Sequence, residues 1–387
     1  MKKIQLLNKI AACGTDIFDK SIYEVAEGIE NPDAIMVRSA SMHDMEFGPA
    51  LRAIARAGAG VNNIPLDKCA EAGIVVFNTP GANANGVKEL AIAALILAAR
   101  DVVGGIEWAK TLEGNPDAAK AVEKGKGVYA GHELAGKTLG VIGLGAIGGM
   151  VANVATHLGM KVIGCDPYIT VNAAWSLSRS IEKAASYDEI YAKADYITLH
   201  VPATETTRGM INEKTIATMK DGVRIINLAR ADLVNAADMK TALAAGKVAS
   251  YVTDFPTPET IGVKGIVNIP HLGASTFESE DNCAVMAAHE LDEFLTCGNI
   301  RNSVNMPNVS IPHTGAARIC CIHKNVPTIL NQMTAIFSAD SINIENMSNG
   351  SRGEYAYTIV ELGCALPADA VAKFKAIEGV IRVTAYN

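Results

Sequence analysis

Three polar residues stand at or just past the ends of apolar runs: Arg230 in INLARADLVN, Glu259 in DFPTPE and His271 in IPHLGAST. Together they form a set suited to moving a proton beside a hydride. A guanidinium offers a rigid fork to a carboxylate or a polarised carbonyl. An imidazole titrates near neutral pH and can exchange a proton with a hydroxyl or alkoxide. A neighbouring carboxylate favours the imidazolium form. Each residue also has a plain reading: an arginine capping a strand, a surface glutamate, a loop histidine facing solvent. The functional reading rests on the three together, beside a fourth motif.

That motif is GVIGLGAIGG, residues 140–149, with Gly143-x-Gly145-x-x-Gly148 directly after an apolar strand and before a helix. The glycines permit a tight turn and close backbone approach, and the helix N-terminus faces a pyrophosphate. Ala146 and Ile147 complete the loop. A second strand ends at Asp166, 23 residues beyond Gly143, where a carboxylate can hold ribose hydroxyls. No Arg or Lys follows Asp166 immediately, so the pattern favours NAD over NADP. Asp254, at the end of VASYVTDF, joins Gly143, Gly145, Ala146, Ile147, Gly148 and Asp166 as a candidate cofactor residue. The plain reading, a packing turn with no ligand, leaves the acidic strand end unexplained.

The elements that position these groups read as an alternating series. Buried strands are expected at 138–145, 161–166, 195–202, 223–230, 248–255 and 265–271, with helices between most of them. Such alternation means a parallel sheet covered on both faces. Ligands bind beyond the carboxyl ends of such strands, where Arg230 and His271 lie. The first 97 residues repeat the pattern on a smaller scale, with strands at 34–40 and 73–81. A helix over 86–102 is apolar nearly all round and needs cover, expected from another subunit. Residues 103–136 read as a connector. FESEDNCAVMAAHELDEFLTCG (277–298) is a helix, and 299–316 is an Asn-, Ser- and Pro-rich linker. The tail from 317 reads βαββαβ, the ferredoxin-like order. The fold class is therefore α/β: two Rossmann-like domains with parallel sheets, plus a ferredoxin-like tail.

Composition limits the alternatives. Of 387 residues, 49% are hydrophobic and 19% charged, as in a globular enzyme. The net charge of −7 and the lack of a long basic run argue against nucleic acid as a partner. The longest apolar run, LAIAALILAA, is too short to span a bilayer, so no membrane is expected. Eight scattered cysteines show no metal spacing, which gives no metal site and points to reduced thiols in the cytoplasm.

GVIGLGAIGG, HVPATETTRGMI, INLARADLVN and IPHLGAST, in that order, resemble the motifs of the D-2-hydroxyacid dehydrogenases. The resemblance implies that Arg230, Glu259 and His271 form the active site and that NAD is the cofactor. It also implies discontinuous domains: 1–97 with 286–306 for substrate, 98–285 for NAD, and 317–387 as a tail. The substrate then sits in a cleft able to close. Ala231 departs from the family's usual Gly after the Arg, and the segment from Glu259 to His271 is short.

VRSA (37–40), AGAGVNNI (57–64) and NTPGANANGVKEL (78–90) resemble the phosphoglycerate dehydrogenase branch of that family. By that resemblance Arg38 and Ser39 hold a phosphorylated hydroxy acid, with the backbone of Val61 and Asn62 at its carboxylate. Lys88 stands where much of the family has a small residue. RICCIHKNVPTIL and SINIENM resemble an ACT module, which implies L-serine as an effector held by His323, Asn325 and Asn343. Its plain alternative is a dimerising cap that binds nothing. A homo-dimer or homo-tetramer is expected, since ACT modules pair. Other readings within reach are a different hydroxy acid such as glycerate, or an NAD-sensing corepressor.

Overall fold

A computed structural model describes residues 1–313 and 315–386 and divides the chain into two compact units: 1–83 with 277–387, and 84–276. The first unit opens with strands β1 (Lys2–Leu6), β2 (Tyr23–Glu27), β3 (Ala34–Val37), β4 (Ala53–Arg56) and β5 (Val75–Asn78). They form a parallel sheet in the order β2-β1-β3-β4-β5. All four residues of β3 are buried, which explains its uninterrupted apolar sequence AIMV. The helix Phe277–Cys297 lays Ala284, Ala287, Ala288, Leu291, Phe294 and Leu295 into the same core. Its small residues allow close approach: a Cβ on Gly14 would lie 2.6 Å from the Ala284 carbonyl carbon.

The second unit carries seven parallel strands: β6 (Thr138–Ile142), β7 (Lys161–Cys165), β8 (Ile181–Lys183), β9 (Tyr196–Leu199), β10 (Val223–Asn227), β11 (Val248–Thr253) and β12 (Ile266–Asn268). Their order is β12-β11-β10-β9-β6-β7-β8. The direction of chain progress reverses between β6 and β9. That is the switch point beyond whose strand ends doubly wound sheets bind ligands.

The tail strands are β13 (Ala317–Lys324), β14 (Ile344–Arg352), β15 (Tyr355–Leu362) and β16 (Val380–Tyr386), antiparallel in the order β14-β15-β13-β16. With helices Ile329–Ala339 and Ala370–Lys375 they make the βαββαβ arrangement. Ile319 and Cys321 pack under those helices with Met333, Phe337 and Phe374. Cys320 and Ile322, on the opposite face, join Phe77 and Phe294 in the core of the first unit. The adjacent cysteines thus point to opposite faces, as strand geometry requires.

The expected elements differ in detail. The apolar helix spans Ala84–Ala99; Ala91, Ala94, Leu95 and Ala98 pack with Val151, Ala155 and Val252 of its own unit, while Ile96 is exposed. The compact units divide at 83/84 and 276/277, because this helix packs on the larger sheet. The tail has a sheet and a core of its own, and one face of that sheet also packs with the N-terminal sheet; its last residue, Asn387, lies outside the described residues. The connector contains two helices, Val102–Lys110 and Ala118–Gly125, neither with a buried residue. No helix among the described residues is long and apolar enough to cross a membrane.

Candidate active site

The glycine loop follows β6 as its sequence requires. Gly143 has φ +90°, and a Cβ there would lie 2.6 Å from the carbonyl oxygen of His200. A Cβ on Gly148 would lie 1.9 Å from the Gly143 oxygen, so the helix Ala146–His157 can start this close only with glycine. Nothing crowds the Cβ position of Gly145, which leaves the loop open on that side. Asp166, just past β7, accepts the N–H groups of Leu144 and Tyr168, each at 2.9 Å. Its carboxylate therefore ties the glycine loop down and keeps further lone pairs for hydroxyl donors. A cavity of about 470 Å³ opens here, lined by Leu144, Asp166, Pro167, Ile169, Leu177 and Lys183. That volume suits a nucleoside-sized ligand.

Arg230 leaves the end of β10 on a turn splinted by Asn227. The fully buried Asn227 amide accepts from the backbone of Ala229 at 3.1 Å and of Arg230 at 3.4 Å. Its Nδ2 donates to the Arg230 carbonyl at 2.8 Å and to the Tyr251 hydroxyl at 3.2 Å. The Arg230 side chain is exposed. His271 follows β12 in a left-handed conformation, φ +51°, which few non-glycine residues adopt. Its ring lies 4.8 Å from that of Phe255.

Asp254 sits between these two in charge space. It is 1% exposed, its Oδ2 accepts the Gly273 N–H at 3.1 Å, and its Oδ1 has no partner. Burial pushes its pKa up, against the Gly273 bond and the charges of His271 and Arg230. A buried carboxylate oxygen with an unused lone pair fits an amide donor from a bound dinucleotide. The structure therefore brings Arg230, His271 and Asp254 to one locus. Glu259 is exposed, with its pKa lowered by a hydrogen bond from Thr257 and by Lys240. The Asp254 carboxyl, in contrast, lies within reach of the His271 and Arg230 charges.

In the other unit, Arg38 and Ser39 form a turn after β3. The Asn8 Oδ1 accepts three successive N–H groups, from Arg38, Ser39 and Ala40, at 3.1, 3.0 and 3.0 Å. The Ser39 amide is thus engaged, and its exposed hydroxyl is the group left to a ligand. Arg56, at the end of β4, donates from Nε to the Arg38 carbonyl at 3.0 Å. Its guanidinium lies across Gly58, where a Cβ would come within 2.1 Å of Nη1. Val61 is partly buried and Asn62 exposed, with the Asn62 carbonyl 2.9 Å from the His43 ring. Lys88 is held by Asn85 at 2.6 Å.

In the tail, His323 is 2% exposed, and both ring nitrogens are engaged, with the Lys324 carbonyl at 2.8 Å and the Thr358 hydroxyl at 2.9 Å. Asn325 donates to the Gly353 carbonyl at 3.3 Å, and Asn343 to Glu345 at 3.4 Å. Those two amides are at the surface; the imidazole is not.

Residues 93–288 match the NAD binding domain of the D-isomer specific 2-hydroxyacid dehydrogenases. The chain belongs to that family. A relative in it is the D-3-phosphoglycerate dehydrogenase of Haemophilus influenzae, 30% identical over 93% of this chain and 88% of its own length. That of Archaeoglobus fulgidus is 35% identical over 74% of this chain and 54% of its own. The chain spans little more than half the length of its archaeal and cyanobacterial relatives, 54–57%. Among solved structures, NAD+-bound 3-phosphoglycerate dehydrogenase of Entamoeba histolytica aligns with TM-score 0.61 and 27% identity, covering 79% of this chain and 98% of that one. D-mandelate dehydrogenase of Rhodotorula graminis shares the fold at TM-score 0.68 and 24% identity, over 80% and 99% of the two chains.

Within this family setting, three residues escaped the sequence reading: Asn8, Arg56 and Asn227. Arg56 had a local signal, since it ends a strand as Arg38 does. Asn8 and Asn227 act by bracing backbone, and nothing in their immediate sequence marks that role.

Proposed function

We propose that this chain oxidises 3-phosphoglycerate to 3-phosphohydroxypyruvate with NAD, the reaction that opens L-serine synthesis. The observation that carries the reading is the placement of Arg38 and Arg56 at adjacent strand ends, with the Arg56 Nε donating to the Arg38 carbonyl, a cationic turn suited to a phosphate dianion. The relatives named D-3-phosphoglycerate dehydrogenase support it. Gly143, Gly145, Ala146, Ile147 and Gly148 cradle the dinucleotide phosphates, Asp166 takes the ribose hydroxyls, and Asp254 the carboxamide end. Bound NAD supplies the hydride acceptor. Arg230 grips the carboxylate and polarises the carbonyl as it forms. His271 takes the hydroxyl proton as hydride leaves C2, and returns it in the reverse direction. For Glu259 to assist His271, its loop must shift from the Thr257 contact. Ser39, Val61 and Asn62 complete the substrate's surroundings.

The reading extends to the tail, where Asn325 and Asn343 offer surface amides to L-serine. His323 contributes there by joining β13 to β15 through Thr358. A cytoplasmic setting suits the eight cysteines, all free thiols. A homo-oligomer suits Val102, Val103 and Ile106, exposed on a helix with no buried residue; light scattering that gives a 40.6 kDa particle would remove this part.

The test follows NADH absorbance with 3-phosphohydroxypyruvate, hydroxypyruvate, pyruvate and 2-oxoglutarate, each with and without millimolar L-serine. Strong preference for the phosphorylated acid is expected, with inhibition by serine. Preference for an unphosphorylated acid would overturn the substrate, and indifference to serine would remove the effector.

A further inference from the structure

Arg38 has a partner of its own. Its guanidinium is ion-paired with Glu280, in the first turns of the helix Phe277–Cys297, and the two side chains are 46% and 40% exposed. Cys283, three residues further along that helix, feels the charges of Arg56, Arg38 and Glu280 together. Two cations and one anion therefore share one small region, inside a single unit. Glu280 also suits the positive end of the helix, but Glu278 occupies the same first turn, and the helix dipole needs no arginine partner.

We propose that Glu280 is an internal competitor for the substrate's phosphate. It neutralises Arg38 in the empty site, yields it to the incoming dianion, and reclaims it when product leaves. The proposal rests on the phosphoglycerate reading above. The exposure of the pair makes the exchange cheap, because an ion pair in water is held weakly. A carboxylate carries one negative charge and the phosphate nearly two, so the exchange runs in the substrate's favour. Free inorganic phosphate lacks the rest of the substrate's contacts and meets the same competitor without compensation. Glu280 thereby lowers affinity for everything that uses Arg38 and keeps a phosphorylated product from lingering. It is a positioning and affinity-setting residue, with no contact to the reacting atoms.

The measurement compares wild type, Glu280→Gln, Arg38→Ala and the double variant in steady-state reduction of 3-phosphohydroxypyruvate and of hydroxypyruvate. Glu280→Gln is expected to lower KM for the phosphorylated acid about fivefold, the factor that matches ~1 kcal/mol for an exposed pair. KM for hydroxypyruvate and kcat stay unchanged, and in the Arg38→Ala background the second substitution has no effect. An unchanged or higher KM for the phosphorylated acid in Glu280→Gln overturns the proposal. A wild type that ignores the phosphate group overturns the substrate reading instead. In that event thermal stabilisation by inorganic phosphate still decides about Glu280, in the wild type and Glu280→Gln alike. Stronger stabilisation of the variant supports competition, and equal shifts refute it.

Discussion

At the scale of single residues, the proposed mechanism separates groups assigned to the substrate from groups that hold those in place. His271 is proposed for the first kind, and its left-handed backbone sets its ring beside Phe255. Replacing it by Ala should lower turnover by about 10²–10⁴-fold, the usual worth of a positioned acid–base group. NADH binding, followed by fluorescence titration, should stay intact; near-normal turnover would take the proton-transfer role from His271. The strand-end placement of Arg230, His271 and the glycine loop was legible in the sequence because each lies in a short motif after an apolar run. Glu259 was read the same way; in this structure its carboxylate accepts from Thr257, on its own loop. Asn8 was illegible for a different reason: it braces Arg38 from thirty residues away, and only the parallel pairing of β1 with β3 brings them together.

At the scale of elements, the alternation of strands and helices was legible because buried parallel strands are apolar throughout. Short strands such as Ile181–Lys183 were not, since three residues with one partly buried and two exposed carry no pattern. The helix Phe277–Cys297 shows what its sequence concealed. Glu290, on this otherwise small and apolar face, is 6% exposed, with Oε1 bonded to the Asn302 amide at 2.7 Å and Oε2 unpartnered. Burial raises its pKa to about 8, with Glu293 adding to the rise and the Asn302 bond opposing it. The sign of the linkage follows. The unfolded chain ionises Glu290 near 4.5 while the folded chain keeps it protonated to about 8, so stability falls as pH rises through that window. The loss is on the order of 3 kcal/mol by pH 7. Glu290→Gln keeps the amide bond and cannot ionise. Its melting temperature should exceed the wild type's at pH 7–8 and match it near pH 5 (~4.5–5, where neither form is charged in the fold). Parallel pH profiles of Tm for the two proteins would show that Glu290 is not the group responsible.

At the scale of the molecule, the tail is held to the long helix and the linker by more than apolar contact. Arg318, with no exposed surface, pairs with Glu361, which is 1% exposed. The same guanidinium donates to the Cys297 carbonyl at 2.6 Å, the Asn299 side chain at 3.1 Å and the Ile311 carbonyl at 3.0 Å. One side chain thus fastens the end of the long helix, the linker and β13. Glu361 in turn accepts the Gly315 N–H at 2.8 Å. A buried pair so fully bonded is costly to break from one side, because Glu361 would keep its charge away from water with only the Gly315 N–H and the His313 ring beside it. Arg318→Met should therefore lower unfolding free energy by ~3–5 kcal/mol, measured by urea denaturation. Removing both charges, as in Arg318→Met with Glu361→Leu, should cost less than Arg318→Met alone, since no buried ion is stranded. Turnover at low temperature should be little changed in either protein, because neither residue touches Arg38, Arg230 or His271. If the double variant proves less stable than the single one, the bonds of Glu361 to the Gly315 N–H and the His313 ring outweigh the cost of its stranded charge, and the explanation by a stranded ion falls.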